Sequence, residues 1–248
     1  MKALLLNSGV GHRMGELTSR QPKCMCPIGG GYTILSRQLT QLAQLGVREA
    51  VITVGPFART LMDHIGGLGL PVKITYVPNP LYSQTNYIYS MYLAAEHLDD
   101  DILLLHGDLV LETNVLEELL SSCKSAVAVD STLPLPQKDF KARLQNGRVI
   151  AIGVSLFGGD CLACQPAYFW RREDFAAWME AIGDFCRRGT ANVYAENAFN
   201  GKEGAIPLYP LELHGRLCHE IDTPEDLHAV SEMFLRSLKA EGKGGAAL

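Results

Sequence analysis

The feature that most constrains the fold is an alternation of short apolar runs with segments of helical periodicity. The first run, residues 2–6, ends directly in a glycine-rich segment at 8–15, and an amphipathic segment at 32–45 follows. Further apolar runs lie at 50–54, 72–77 and 102–105. Short buried strands that alternate with helices are typical of an α/β protein, in which helices flank a mixed, mostly parallel central sheet.

The second half of the chain is less regular but keeps clear helical signals. Large apolar residues share one face over 172–187, and Thr223-Pro224 opens a final helix with a capping residue and a proline at its first position. No linker or internal repeat divides the chain. We therefore expect one domain over 1–240 and a flexible, Gly/Ala-rich tail over 241–248.

Composition excludes several classes of protein. A net charge of -5 provides no general basic field, so nucleic acid is not an expected partner. The apolar runs are much shorter than the roughly 20 residues of a membrane helix, so no membrane span is expected. Seven cysteines without an export signal predict a reduced, cytoplasmic protein.

The glycine-rich segment after the first strand is the first candidate binding element. Gly9 and Gly11 let backbone N–H groups approach a phosphate or a base, and Arg13 and Lys23 can neutralise phosphates. The segment is not a Walker loop, because the Gly-Lys-Ser/Thr ending is missing, and Met14 occupies the place of the third glycine of a dinucleotide fingerprint. A plain surface loop is the alternative interpretation.

Acidic residues follow two of the predicted strands. Asp108 comes just after the apolar run at 102–105, at the strand end where open α/β sheets bind ligands, and a carboxylate there can hold Mg²⁺ against a triphosphate. Glu220 and Asp222 end the last short strand and project to the same side. Asp108 and Asp222 could share one magnesium ion if the fold brings them together. For Asp108 alone, a turn residue at a strand end is the commoner role.

Together these motifs resemble the nucleotidyltransferase superfamily, whose members join an NTP to a phosphorylated small molecule and release pyrophosphate. The segments at 86–93, 168–170 and 194–197 make the chain similar to bacterial choline-phosphate cytidylyltransferases, from residue 1 to about 230. This resemblance implies a single Rossmann-like domain of the nucleotide-diphospho-sugar transferase type. It also implies that CTP, or another NTP, and a phosphorylated small molecule are the partners, with Mg²⁺ as the cofactor.

The resemblance further implies roles for individual residues. Lys23 and Arg13 would act as catalytic residues on the nucleotide phosphates, and Asp108, Asp222 and Glu220 would bind Mg²⁺. The nucleotide-binding set would be Asn7, Ser8, Gly9, Gly11, Arg13, Lys23, Asn86 and Asp108. Asn7-Ser8 replaces two alanines that the family usually has, and Thr85 replaces an asparagine frequent in close relatives. Both departures bear on the choice of base.

Clustered aromatic residues point to the second substrate, the acceptor. Four tyrosines lie within residues 82–92, and the predicted acceptor-binding residues are Tyr89, Trp170, Tyr194 and Glu196. Aromatic faces beside a carboxylate hold quaternary ammonium groups, and a similar pocket suits a primary amine. The alternative is that tyrosines at helical spacing pack the core with their hydroxyls at its edge.

The sequence thus predicts a Mg²⁺-dependent cytidylyltransferase that joins CTP to a phosphorylated amino alcohol or an aminophosphonate. No general base is expected, because the attacking phosphate is already largely ionised. The alternatives are a sugar-1-phosphate nucleotidyltransferase and a nucleotide-binding module without turnover. A homodimer would be unsurprising, although no residue argues for one.

Two further motifs are given no functional role. Cys161 and Cys164 have the spacing of a redox pair but are expected in a loop, and a structural zinc is not expected without a second pair. His106 shows no metal-ligand spacing with the other histidines.

Overall fold

The computed structural model describes residues 1–244, and the side chains of residues 1–240. The strands in this part of the chain are β1 (Lys2–Asn7), β2 (Pro27–Gly29), β3 (Tyr32–Thr33), β4 (Glu49–Val54), β5 (Lys73–Pro78), β6 (Ile102–His106), β7 (Leu109–Leu111), β8 (Ala126–Asp130), β9 (Lys141–Gln145), β10 (Arg148–Gly153), β11 (Cys161–Trp170), β12 (Tyr209–Glu212) and β13 (Cys218–Glu220). The helices are α1 (Ile34–Gln44), α2 (Ala58–Leu68), α3 (Tyr87–Ala94), α4 (Thr113–Ser121), α5 (Arg172–Arg187), α6 (Glu196–Asn200) and α7 (Pro224–Gly244), with short 3₁₀ turns at His12–Thr18, Lys23–Met25 and Ala95–His97.

The central sheet confirms the predicted α/β architecture. Its main path runs β10-β9-β11-β6-β1-β4-β5, with β8 on β11 and β12 on β8. Strand β1 pairs in parallel with both β4 and β6, and β5 extends this parallel part. Strand β11 runs antiparallel to β6, β8 and β9. The sheet is therefore mixed, with a parallel half built mainly from the first 106 residues.

Burial on both faces explains why β1 reads as a continuous apolar run. Leu4 belongs to the core under α3 and α5, with Ile88 and Trp178. Leu5, its neighbour in the chain, belongs to the opposite core with Leu35 of α1. Successive strand residues point to opposite faces, so a strand between two helical layers needs apolar residues at every position.

Capping residues set several helix boundaries. Thr33 accepts a hydrogen bond from the Ser36 N–H and starts α1 at Ile34, two residues later than the helical pattern predicts. The helix expected over 85–98 begins instead at Tyr87, because Asn86 is the capping residue, and it ends in the 3₁₀ turn Ala95–His97. Helix α5 spans the predicted residues 172–187.

The C-terminal helix begins as predicted and is longer than expected. Thr223 accepts a hydrogen bond from the Asp226 N–H at 3.2 Å, which confirms the predicted cap. Helix α7 continues through Gly244, so the first half of the expected tail is helical, and residues 245–248 lie outside the described residues. Among the described helices, none combines the length and the apolar character that crossing a membrane requires.

Strand β11 corrects the expectation for Cys161 and Cys164. Both cysteines are buried in a ten-residue strand rather than placed in a loop. The pairing of β11 with β8 shifts register between Cys164 and Tyr168, at the proline of residue 166, where a ladder hydrogen bond is lost. Strand β9 and the short β2–β3 pair were not predicted, because charged and glycine residues interrupt their apolar pattern.

Candidate active site

A cleft of about 540 Å³ lies at the carboxyl ends of β1 and β6. It is lined by the glycine-rich segment after β1, by the turn after β6 and by segments that come later in the chain. Its late lining residues are Lys138, Asp139, Phe140, Val154, Tyr194, Glu220 and Asp222. This edge of an open α/β sheet is where ligands bind, so the cleft is the candidate site.

A glycine, Gly107, allows the ends of β1 and β6 to lie close together. Leu6 of β1 is in register with His106 of β6, so Asn7 and Gly107 lie side by side. A Cβ atom at position 107 would lie 1.9 Å from the Asn7 Oδ1, which no side chain can tolerate. Gly107 therefore lets the chain that leads to Asp108 pass directly against the end of β1.

One lysine joins two carboxylates at the floor of the cleft. The Lys23 Nζ lies 2.5 Å from Asp108 Oδ2 and 2.8 Å from Asp222 Oδ1. Arg13, whose side chain is 64% exposed, contacts the other Asp222 oxygen at 2.9 Å. Burial alone would lower the pKa of Lys23, but the two carboxylates outweigh it and hold that pKa above its ordinary value. The fold thus brings together four of the predicted site residues.

Asp222 is held in place by the start of α7. The Asp226 carboxylate accepts hydrogen bonds from the backbone N–H groups of Asp222 and Thr223, at 3.1 and 2.8 Å. The Ile221 N–H donates to the Asp108 carbonyl at 3.0 Å and ties the two acidic segments together. The helix start therefore fixes an acid that is 114 residues away from Asp108 in the chain.

His106 lies in the same cluster, although its spacing from the other histidines in the sequence does not indicate a ligand. The His106 Nδ1 lies 3.2 Å from Glu220 Oε1. Burial and the negative charge of Asp108 raise the pKa of Glu220 above its ordinary value. Burial alone would lower the pKa of His106, but the hydrogen bond to Glu220 outweighs it and raises that pKa. A signal for His106 was available in its position, because residues 106 and 108 both flank the end of β6.

We call Arg13, Lys23, Asp108, Glu220 and Asp222 the charged end of the cleft. One ligand atom each of His106, Asp108 and Glu220 lies within 4.8 Å of the others. The Asp108 Oδ1 is buried and has no hydrogen-bond partner among the described residues. Carboxylate oxygens are the ligands that Mg²⁺ prefers, so the donor set at this end fits a divalent cation.

The predicted nucleotide-binding residues after β1 line the cleft next to this cluster. Gly11 adopts φ 64°, a left-handed conformation that favours glycine, and a Cβ there would lie 3.1 Å from the Lys23 Cβ. Ser8 Oγ lies 2.6 Å from Ser90 Oγ, while Asn7 Nδ2 is buried without a hydrogen-bond partner in the described chain. Asn86 also lines the cleft, but its side-chain oxygen accepts the Tyr87 N–H as the cap of α3.

Aromatic rings line another part of the cleft, beside His106. The centroid of the Tyr194 ring lies 6.0 Å from that of Tyr87 and 5.1 Å from that of Phe140. The Tyr87 ring also contacts the His106 ring, with centroids 4.7 Å apart. We call Tyr87, Phe140 and Tyr194 the aromatic end. Tyr194 is 39% exposed, so this end presents an open aromatic face.

A buried carboxylate lies behind this aromatic end. Glu196 is 1% exposed, and its two oxygens accept hydrogen bonds from the hydroxyls of Tyr87 and Tyr168, the latter at 2.8 Å. Both tyrosine hydroxyls are kept protonated, because burial and the Glu196 charge raise the pKa of each. Glu196, predicted to touch the acceptor, therefore lies behind Tyr87 rather than at the cleft surface.

Two predicted acceptor-binding residues lie elsewhere, which corrects those predictions. Trp170 is fully buried and packs against Trp178, with ring centroids 4.8 Å apart. Tyr89 lies outside the cleft lining and packs against Tyr92, with centroids 6.0 Å apart. On α3, Tyr87 and Tyr89 are two residues apart and face different directions, so only Tyr87 reaches the cleft.

A family model matches most of this chain. The model of the MobA-like NTP transferase domain matches residues 3–198. That region contains the glycine-rich segment, Asp108 and the aromatic end, whereas Glu220 and Asp222 follow it.

Two curated proteins illustrate the similarity. The chain is 42% identical over 135 residues to the CMP-5'-(3-aminopropyl)phosphonate synthase of Streptomyces rubellomurinus. The aligned region is 54% of this chain and 21% of that protein. It is 23% identical to the choline-phosphate cytidylyltransferase of Streptococcus pneumoniae over 94% of this chain and 98% of that protein. The matched regions cover between 21% and 52% of the length of three of the curated relatives.

The fold is shared with a solved structure. The inositol-1-phosphate CTP transferase from T. maritima superposes with a TM-score of 0.77 at 20% identity, over 95% of each chain. At this level of identity the likeness establishes the fold.

Proposed function

Because this chain belongs to the family of the MobA-like NTP transferase domain, and is therefore a nucleotidyltransferase, we propose that it is a Mg²⁺-dependent cytidylyltransferase whose acceptor is an aminoalkylphosphonate. It would join CTP to the phosphonate, release pyrophosphate and yield a CMP-activated phosphonate. The single observation that carries the proposal is the bridge that Lys23 makes between Asp108 and Asp222, at the floor of a cleft walled by glycines.

The charged end is suited to a triphosphate. Lys23 and Arg13 already pair with carboxylates, and the phosphates of an NTP offer these two cations a competing set of oxygens. Mg²⁺, when bound, would be held by Asp108, Glu220 and Asp222 and would supply positive charge at the phosphates. Arg13 is more exposed than Lys23, so it can move to follow the incoming nucleotide.

The transfer itself needs positioned charge rather than covalent help from the protein. An oxygen of the acceptor attacks the α-phosphorus of CTP, a new P–O bond forms, and the bond to the bridging oxygen of pyrophosphate breaks. The electron pair of the broken bond leaves with pyrophosphate. Because the attacking group is already ionised, no side chain has to remove a proton. Lys23 and Arg13 stabilise the negative charge that develops on the leaving group.

The aromatic end supports an acceptor that carries an amine. The faces of Tyr87, Phe140 and Tyr194 attract a cation, and the buried negative charge of Glu196 lies behind them. The Streptomyces relative, by its name, makes a CMP-aminopropylphosphonate, and 42% identity over 135 residues supports the same acceptor class here.

Phosphocholine is a second candidate acceptor, supported by the same rings and by a different relative. Three aromatic rings suit a quaternary ammonium group, which donates no hydrogen bonds and is held by aromatic faces alone. The streptococcal choline-phosphate cytidylyltransferase also aligns over nearly its whole length. A sugar phosphate, which needs many hydrogen-bonding groups, finds little support at this end of the cleft.

The test is pyrophosphate release with Mg²⁺, for each of the four NTPs against 3-aminopropylphosphonate, phosphocholine and glucose-1-phosphate. We expect turnover with CTP and 3-aminopropylphosphonate, and slower turnover with phosphocholine. Lys23→Met should be inactive, whereas Lys124→Met, a matched change at an exposed lysine on Tyr209, should behave as wild type. Turnover with glucose-1-phosphate alone would overturn the acceptor assignment, and equal activity of Lys23→Met would overturn the site.

A further inference from the structure

A second buried lysine lies outside the charged end and has an unusual set of partners. Lys141, the first residue of β9, is fully buried. Its Nζ donates hydrogen bonds to the carbonyl oxygens of Pro136 at 2.7 Å and Val154 at 2.5 Å. The same Nζ lies 4.2 Å from the centroid of the Phe157 ring. Burial lowers the pKa of Lys141.

The two carbonyls belong to different loops, and both loops reach the cleft. The first loop, residues 131–140, supplies Lys138, Asp139 and Phe140 to the lining, and the second, which follows β10, supplies Val154. Phe140 also contacts Tyr194 at the aromatic end. Lys141 is thus a single side chain that joins the two loops behind this wall of the cleft.

A charged group at this place has an energetic cost that its partners must offset. Burying an ammonium without partners is strongly unfavourable, and here two carbonyls and an aromatic face satisfy it. If the lysine were replaced by an apolar side chain, both carbonyls would lose their common donor. The loops would then no longer be joined through this point.

We propose that Lys141 is a positioning residue that holds loops 131–140 and 154–157 together and so fixes the acceptor wall of the cleft. The inference rests on the proposed function for the identity of the acceptor, but the connection between the loops does not. Lys141 itself lies outside the cleft lining, and its chain neighbour Phe140 contacts Tyr194, so its loss should weaken acceptor binding more than nucleotide binding.

The experiment compares wild type with Lys141→Met and with a matched control, Arg143→Met. Arg143 lies on the same strand, is partly exposed and pairs with Asp160 at 3.2 Å, away from the cleft lining. We expect amide hydrogen exchange in loops 131–140 and 154–157 to become about tenfold faster in Lys141→Met only. The KM for 3-aminopropylphosphonate should rise about tenfold, with kcat and the KM for CTP within about twofold of wild type.

A second variant keeps the test decisive if Lys141→Met does not fold. Phe157 is 46% exposed, and Phe157→Leu removes the ring above the ammonium while leaving the two hydrogen bonds. It should change exchange and acceptor KM in the same direction but by less. Unchanged exchange in both variants, or the same change in Arg143→Met, would overturn the connection between the loops. Faster exchange with an unaltered acceptor KM would overturn the positioning role.

Failure of the proposed function has a different signature. If wild type turns over none of the phosphonates, the proposed function is wrong, and hydrogen exchange, which needs no substrate, still decides whether Lys141 joins the loops. If wild type is active and only the predicted exchange difference is missing, the inference about Lys141 is wrong and the proposed function stands.

Discussion

The two ends of the cleft are built in different ways. At the charged end, the three acids lie at strand ends or beside a helix start, whereas Arg13 and Lys23 lie in 3₁₀ turns. Ion pairs join these two cations to two of the acids. At the aromatic end, Tyr87, Phe140 and Tyr194 come from three separate segments and meet through ring contacts. Under the proposed function, the chemistry of the cleft would depend on a network of ion pairs, whereas acceptor choice would depend on three rings that meet from separate segments.

This division predicts separable effects of mutation. A change at the charged end should reduce turnover with every acceptor, because all acceptors share the same leaving group. A change at the aromatic end should alter the KM for the acceptor and spare the nucleotide. A variant whose effects cross from one end to the other would show that the two ends are coupled.

The largest effect is expected for Asp108→Asn. The substitution removes the negative charge that faces Lys23 and leaves only a neutral amide as a ligand for the candidate cation site, so we expect kcat/KM to fall by about 10²–10³-fold with every acceptor. Steady-state pyrophosphate release measures this. Asp63→Asn, at an exposed residue paired with Arg59, is the matched control and should retain wild-type activity. A loss confined to one acceptor would contradict the assignment of Asp108 to the charged end.

A smaller and more selective effect is expected for Tyr194→Leu. A cation–aromatic contact contributes about 0.5–2 kcal/mol, so the KM for an amine-bearing acceptor should rise by about 2- to 30-fold. The KM for CTP should not change, because Tyr194 lies at the aromatic end. Initial rates at varied acceptor and fixed CTP measure the effect.

Tyr89→Leu is the control for that prediction. The sequence places Tyr89 in the acceptor pocket, but the structure packs it against Tyr92 outside the cleft. Its replacement should leave the acceptor KM as in wild type. An equal rise in both variants would mean that the aromatic end is not defined by Tyr194.

The smallest effect is expected for Thr223→Ala. Loss of this cap should cost about 1 kcal/mol of the free energy of unfolding, and lower the Tm by about 2–4 °C. Because the same helix start holds Asp222, kcat should also fall slightly while the acceptor KM stays constant. Ser121→Ala, at the exposed end of α4, is the control. A change in acceptor KM alone would contradict the placement of this helix start at the charged end.

Much of the charged end could be predicted from the sequence, because its signals are local. A glycine-rich segment after a strand, an acid after the next parallel strand and a capped helix after the last one each have a recognisable pattern. The rule that parallel strands end at one edge brings together the glycine-rich segment after β1 and Asp108 after β6. It does not place Asp222, because β13 pairs antiparallel with β7 in a separate sheet. The pairing of His106 with Glu220 could not be predicted, because the two residues are 114 apart in the chain and no spacing rule relates them. The position of His106 beside Asp108 at the end of β6 was the signal available.

The aromatic end could not be predicted in detail, because it depends on side-chain direction and on loops. Tyr87 and Tyr89 are near neighbours in a tyrosine-rich segment, and only the observed start of α3 at Tyr87 decides which one faces the cleft. Trp170 lies in the antiparallel strand β11, which directs its side chain into the core. No sequence pattern indicates the register shift in this strand. Phe140 precedes a strand that the sequence did not reveal.

The most direct test of the central claim is ³¹P NMR of the protein with CTP, Mg²⁺ and 3-aminopropylphosphonate, compared with propylphosphonate, which lacks the amine. The account predicts a phosphonate signal coupled to a new phosphate signal, as in a CMP-phosphonate, together with free pyrophosphate. With propylphosphonate the same product should form much more slowly. Equal rates for the two phosphonates would contradict an amine-binding aromatic end, and intact CTP with every acceptor would contradict the proposed reaction itself.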